Sequence, residues 1–161
     1  MISKEQVIAT FARNLGMVKQ QTAGLTHEDS LLQPPFRGNC LNWVLGHLAE
    51  NRNSLLEALG QPPIMTKAQA GRYGYGSEPV VCHAADILRM EDLLAMLERT
   101  QEGIAAGITQ ITPAELAKEV HFAARDMTVA ERIFFQLWHE TYHVGQTELL
   151  RQLAGTNDKV I

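Results

Sequence analysis

The sequence predicts an all-α protein, an up-and-down four-helix bundle with long crossover connections. Three observations carry this expectation. Apolar residues return every three or four positions in four long stretches, helix-start and helix-stop residues stand at the ends of those stretches, and no convincing strand-like alternation of apolar and polar residues appears. With 161 residues the chain is long enough to bury a core without staples, and one domain over residues 1–161 is expected.

The first stretch opens on Ser3 and Gln6, a capping box in which each side chain satisfies a backbone N–H that the helix start would leave orphaned. Val7, Ile8, Phe11, Leu15 and Val18 then trace one face, so a first helix runs to about residue 22. Pro34, Pro35 and Gly38 forbid its continuation, and Thr22 to Asn39 becomes a connection with room for a short turn around Glu28 to Leu32. From Leu41 to Leu59 the residues Leu41, Val44, Leu45, Leu48, Leu55, Leu56 and Leu59 form a second apolar stripe, ended by Gly60, Pro62 and Pro63. Residues 60–85 lose the rhythm, and the segment GRYGYGSEPVV predicts a long irregular crossover. A third helix reads from about Asp86 through Leu93, Leu94, Leu97, Ile104 and Ile108. Thr112, Pro113 and Glu115 start a brief one, and Val120 to Asp126 has an extended character. The last helix starts at the capping box of Thr128 and Glu131 and runs uninterrupted to Leu153, with Gly155 as its stop.

Composition removes several function classes. A net charge of -4, an isoelectric point near 5.8 and the lack of any Lys/Arg cluster leave no basic face for a nucleic-acid backbone. The opening MISKEQVIATF carries charge where a signal peptide needs an apolar core, and no apolar run approaches the roughly 20 residues of a membrane span. A cytoplasmic protein without nucleic-acid or membrane partners is expected. Cys40 and Cys82 have no neighbouring cysteine, so they read as packed thiols and not as zinc ligands or a disulfide framework.

The chemistry concentrates in the last helix. His139 and His143 are four residues apart, which brings their side chains to one face and one turn apart, within reach of a single ion. Two core histidines would show the same spacing. A metal needs a further donor, and His47 in NWVLGHLAENR, at the flank of the second apolar stripe, is the best third ligand. Gly46 beside it and Gly145 beside His143 each weaken a helix by about 1 kcal/mol relative to alanine, an expense that points to close packing or ligand access. Gln146 lies on the arc of the pair, where it can hold an imidazole in one tautomer. His27, His83 and His121 read as surface or hydrogen-bonded residues. Glu50 and Asn51, one turn beyond His47, are placed to touch substrate or to support a ligand, but they read more strongly as residues of the helix surface. Tyr73 or Tyr75 is a candidate aromatic wall at the pocket mouth.

His139 to His143 also spells H-E-x-x-H, the zinc protease signature in which the glutamate, here Glu140, is the general base. Its context is poor. The glycine and third histidine that a metzincin needs are replaced by Gln146 and Leu149, and Glu148 faces about 140° away from His143.

Taken together, the N-W-V-L-G-H-L segment around His47, the glycine-proline loop after it and the H-x-x-x-H-x-G-Q run at His139, His143, Gly145 and Gln146 resemble the DinB/YfiT-like superfamily over nearly the whole chain. The resemblance implies a four-helix bundle in which a divalent metal is held by three histidines, His47, His139 and His143, with water completing the shell. Characterised members include thiol S-transferases that use bacillithiol or mycothiol and a mycothiol-dependent isomerase, and many form dimers. It therefore implies a metal-dependent transferase or hydrolase and a homodimer. The implied cofactors are a zinc or nickel ion, with iron or manganese compatible, and a low-molecular-weight thiol. Glu140 has no role in the family pattern. The competing reading is a non-catalytic bundle that uses the metal for stability, for dimerisation or for binding a small molecule.

Overall fold

The structure is a computed structural model that describes residues 2–81, 84–122 and 124–158. Four long helices build it: α1 (Lys4–Thr22), α3 (Leu41–Ala58), α5 (Met90–Gln110) and α7 (Val129–Leu153), with short helices α2 (His27–Ser30), α4 (Lys67–Tyr73) and α6 (Pro113–Leu116) in the connections. The capping boxes read at Ser3/Gln6 and Thr128/Glu131 are both present, so local chemistry set these two starts. The third helix begins at Met90, four residues later than periodicity placed it. Two strands, β1 (Glu119–Phe122) and β2 (Arg125–Thr128), pair as an antiparallel hairpin where the sequence offered only an extended piece. Four residues are too few for an alternating pattern to stand out from its surroundings.

Residues 60–81 are more ordered than expected. They contain α4, whose capping box of Thr66 and Gln69 is overshadowed in the sequence by the glycines that follow. Tyr73 ends α4 and is wholly buried. Its hydroxyl donates to Asn42 Oδ1 at 3.1 Å and accepts from the Leu88 N–H at 2.8 Å, so it belongs to the core and does not line a pocket mouth. Tyr75, the other candidate, is fully exposed.

Helix α3 packs against α5 and α7, and α1 packs against the same two, so α1 faces α3 across the bundle and α5 faces α7. The diagonal links are thus the ones after the first and third helices, while the long α4-containing segment joins neighbours. The apolar interior has two parts. One gathers Val18, Leu45, Leu48, Tyr73, Leu93 and Val144, and the other Phe11, Leu55, Leu56, Ile104, Ile108 and Ile133. Arg52 of α3 is a polar hub for the bundle. It donates to the Phe11 carbonyl on α1 (2.9 Å), to the Leu97 carbonyl on α5 (3.3 Å) and to both carboxylate oxygens of Glu140 on α7 (2.7 Å each), touching all four long helices. A charge buried this deeply persists only when fully partnered.

The other described histidines are hydrogen-bonded and the described cysteine is buried. The Met90 N–H donates to His27 Nδ1 at the start of α5, His121 pairs with Asp126 across the hairpin at an exposed position, and Cys40 is buried against the Val80 carbonyl. Cys82 and His83 lie outside the described residues. Among the described residues no helix is long and apolar enough to cross a membrane.

Candidate metal centre

Helices α3 and α7 meet along a face that carries His47 on one side and His139 and His143 on the other. Their Nε2 atoms converge: His139 Nε2 is 3.3 Å from His47 Nε2 and 3.2 Å from His143 Nε2. The three imidazoles form a group whose ligand atoms all lie within 4.8 Å of one another. Tetrahedral bonds of about 2.0–2.1 Å from imidazole to zinc place neighbouring nitrogens about 3.3 Å apart, so the separation suits one ion.

The protein also chooses the tautomers. His47 Nδ1 is 2.8 Å from the Tyr73 carbonyl, an acceptor only, so Nδ1 carries the proton and Nε2 presents a lone pair. His143 Nδ1 is 2.7 Å from Gln146 Oε1, which does the same for the second ring. Gln146 thus holds the supporting place that its arc on the helix suggested. His139 differs: its Nδ1 is buried and has no hydrogen-bond partner. Lone pairs from three rings aimed at one point repel unless a cation or a shared proton lies between them, and this donor set fits a divalent metal.

Burial holds the rings neutral. Desolvation lowers the His47 pKa to about 4, against a smaller opposing effect of the Tyr73 carbonyl. It lowers His139 to about 4 as well, with neighbouring His143, His47 and Arg132 adding to the effect, and lowers His143 against the opposing Gln146 bond. Neutral imidazole is the form that ligates.

Aromatic rings enclose the centre. Trp43, one turn before His47, stacks on it with centroids 4.6 Å apart, and Phe135, one turn before His139, stacks at 5.7 Å. Phe135 in turn meets Phe122 of β1 at 5.7 Å, so the hairpin closes the end of the face that carries His139. Gly46 has a packing reason, because a Cβ there would lie 2.0 Å from the Tyr73 ring, the residue whose carbonyl orients His47. Gly145 has none, since a Cβ there would meet nothing within 4 Å.

Two readings of nearby residues change. Asn51 is 5% exposed and not a surface residue. Its Nδ2 donates to the His47 carbonyl at 3.0 Å and lies 3.3 Å from His47 Nε2. The signal was the Trp43, His47, Asn51 repeat at four-residue spacing, which puts all three on one stripe. Glu140 is occupied, because both its oxygens accept from Arg52, and so the carboxylate that proteolysis requires as a general base is locked into the core.

The sequence profile of the DinB superfamily matches residues 10–147. This chain belongs to the DinB superfamily. Its fold resembles a conserved protein from Enterococcus faecalis at 16% identity, with a TM-score of 0.73 over 97% of this chain and 99% of that one. It also resembles a mycothiol-dependent maleylpyruvate isomerase at 13% identity, with a TM-score of 0.65 over 89% of this chain and 60% of that one, so the DinB chain spans only part of the isomerase. A mutant of that isomerase gives the same TM-score at 12% identity. No curated protein matches the sequence.

Proposed function

We propose that this DinB protein is a metal-dependent enzyme, a thiol-dependent transferase or a hydrolase, whose divalent ion is held by His47, His139 and His143. The convergence of three Nε2 atoms, two of them in a tautomer set by the protein, carries the reading. A zinc or nickel ion suits three neutral imidazoles, and when bound it would lower the pKa of a thiol or water at an open position. The chain's own residues do the rest. Tyr73 and Gln146 orient two of the ligands, while Trp43 and Phe135 exclude water from their flanks. The isomerase that shares this fold is mycothiol-dependent, which favours a low-molecular-weight thiol here over water. We further propose a cytoplasmic homodimer, for which the exposed Phe134, Trp138 and Tyr142 along α7 offer an apolar face.

A second reading has its own observation. An apolar groove of about 770 Å³ between α1 and α7, lined by Val7, Ile108, Ile133 and Leu137, suits a bundle that binds a small molecule without converting it. Metal analysis followed by thiol-transfer assays separates the two. Stoichiometric metal and thiol consumption in the wild type, both lost in His143→Ala, are expected. Full metal occupancy without turnover across a panel of thiols would instead favour the binding module.

A further inference from the structure

Glu50 and Glu140 each adjoin the histidines, and the fold treats them differently. Glu140 is consumed by Arg52. Glu50, on α3 one turn beyond His47, accepts from Asn51 Nδ2 at 3.0 Å, and that same nitrogen is 3.3 Å from His47 Nε2, the atom that faces the other two imidazoles. A single amide therefore separates the carboxylate from the nitrogens of the centre. Arg132 of α7 is the cation that acts on Glu50, but its guanidinium is engaged by Gln136 Oε1 at 2.9 Å, by the Asn51 carbonyl at 3.4 Å and by the Phe122 ring at 3.7 Å. No ion pair of Glu50 occurs among the described residues.

From this placement we infer that Glu50 is the proton acceptor of the centre, taking the proton of a thiol that reaches the three histidines, with Asn51 positioning its carboxylate. In that step the S–H bond breaks, the sulfur keeps the electron pair, and the proton bonds to a Glu50 carboxylate oxygen. No further reactant is needed. Burial supports the role by raising the Glu50 carboxyl to about 7, with Arg132 opposing and Glu57 on the same helix adding to the rise. A group that changes protonation near neutrality is suited to both taking and returning a proton. The inference rests on the metal-centred reading above.

Proton counting tests it on the zinc-loaded protein. Titration with 2-mercaptoethanol at about pH 8, followed by calorimetry in two buffers of different ionisation enthalpy, gives the protons released to solvent per thiol bound. The negative charge of the bound thiolate raises the neighbouring Glu50 carboxyl further, so the wild type is expected to release distinctly fewer protons per thiol than Glu50→Gln, which releases about one. Glu57→Gln removes the same charge from the same helix and should behave as wild type. Equal release from wild type and Glu50→Gln overturns the assignment, as does loss of zinc from Glu50→Gln, which would make Glu50 a ligand. A zinc-loaded wild type that binds no thiol also overturns it. A wild type that takes up no zinc fails before thiol is added and removes the metal reading itself. Should the variant not fold, carbon NMR of the wild-type Glu50 carboxyl decides: a midpoint near neutrality supports the role, and one in the ordinary carboxylate range overturns it.

Discussion

His139 stands between its two companions with a buried Nδ1 that donates to nothing, while His47 and His143 each have an acceptor that fixes the ring. The orienting bonds should therefore matter most at the outer two ligands. Replacing Gln146 by leucine removes the acceptor and frees the His143 tautomer, and metal affinity is expected to fall about 10- to 100-fold. Competition with a chromophoric chelator measures this, and an unchanged affinity would show that Gln146 is only a neighbour. The same residues set the response to acid. His47 and His139 fold with pKa values near 4, below their ordinary 6.5, so the unfolded chain binds more protons than the native one between those limits. The contribution these two rings make to the stability of the metal-free protein is then fully present above pH 6.5 and is lost as pH falls through about 4. Denaturant titrations across that range should show the midpoint declining with acid, and less so in His47→Phe.

At the scale of elements, the contact between α3 and α4 governs the site although α4 supplies no ligand. Gly46 lets the Tyr73 ring lie against the α3 backbone, and the Tyr73 carbonyl at the end of α4 in turn holds His47. A methyl group at position 46 has no room, so Gly46→Ala must push Tyr73 away, at an overpacking cost of about 1–3 kcal/mol. Metal affinity should fall together with stability, although residue 46 offers no ligand atom. Gly145→Ala is the contrast, since open space surrounds that position and alanine is the better helix former. It should stabilise α7 by up to about 1 kcal/mol. Thermal melts of the two variants, with and without zinc, check both signs.

The whole molecule is tied together by Arg52. Its guanidinium links α1, α5 and α7 to α3, and its partner Glu140 is 1% exposed. Removing one member strands a buried charge, so Arg52→Met or Glu140→Gln alone is expected to destabilise by about 3–5 kcal/mol. The double variant removes both charges and should recover a large part of that loss. A chemical-denaturation cycle over the four proteins tests it, and additive losses would mean the two residues act independently.

How much of this was legible in the chain depends on how local each feature is. Helix starts at Ser3 and Thr128 are decided within four residues, because a cap bonds to its own first turn, and the pairing of His139 with His143 follows from helix geometry. His47 could be singled out by its flank position, but its meeting with His139 required α3 and α7 to pack, which no local pattern encodes. Helix α4 carried a readable cap, yet the burial of Tyr73 that makes it useful comes from contacts with Asn42 and Leu88, far along the chain. Glu140 shows the division most clearly. By spacing it is the general base of a protease motif, and by packing it is bound to an arginine 88 residues away. Local sequence alone determined the long helices and the pair of imidazoles, since neighbours in the chain supply the bonds involved. Tertiary structure alone decided which carboxylate is locked away and which remains beside the histidines, because burial and charge pairing belong to residues that only folding brings together.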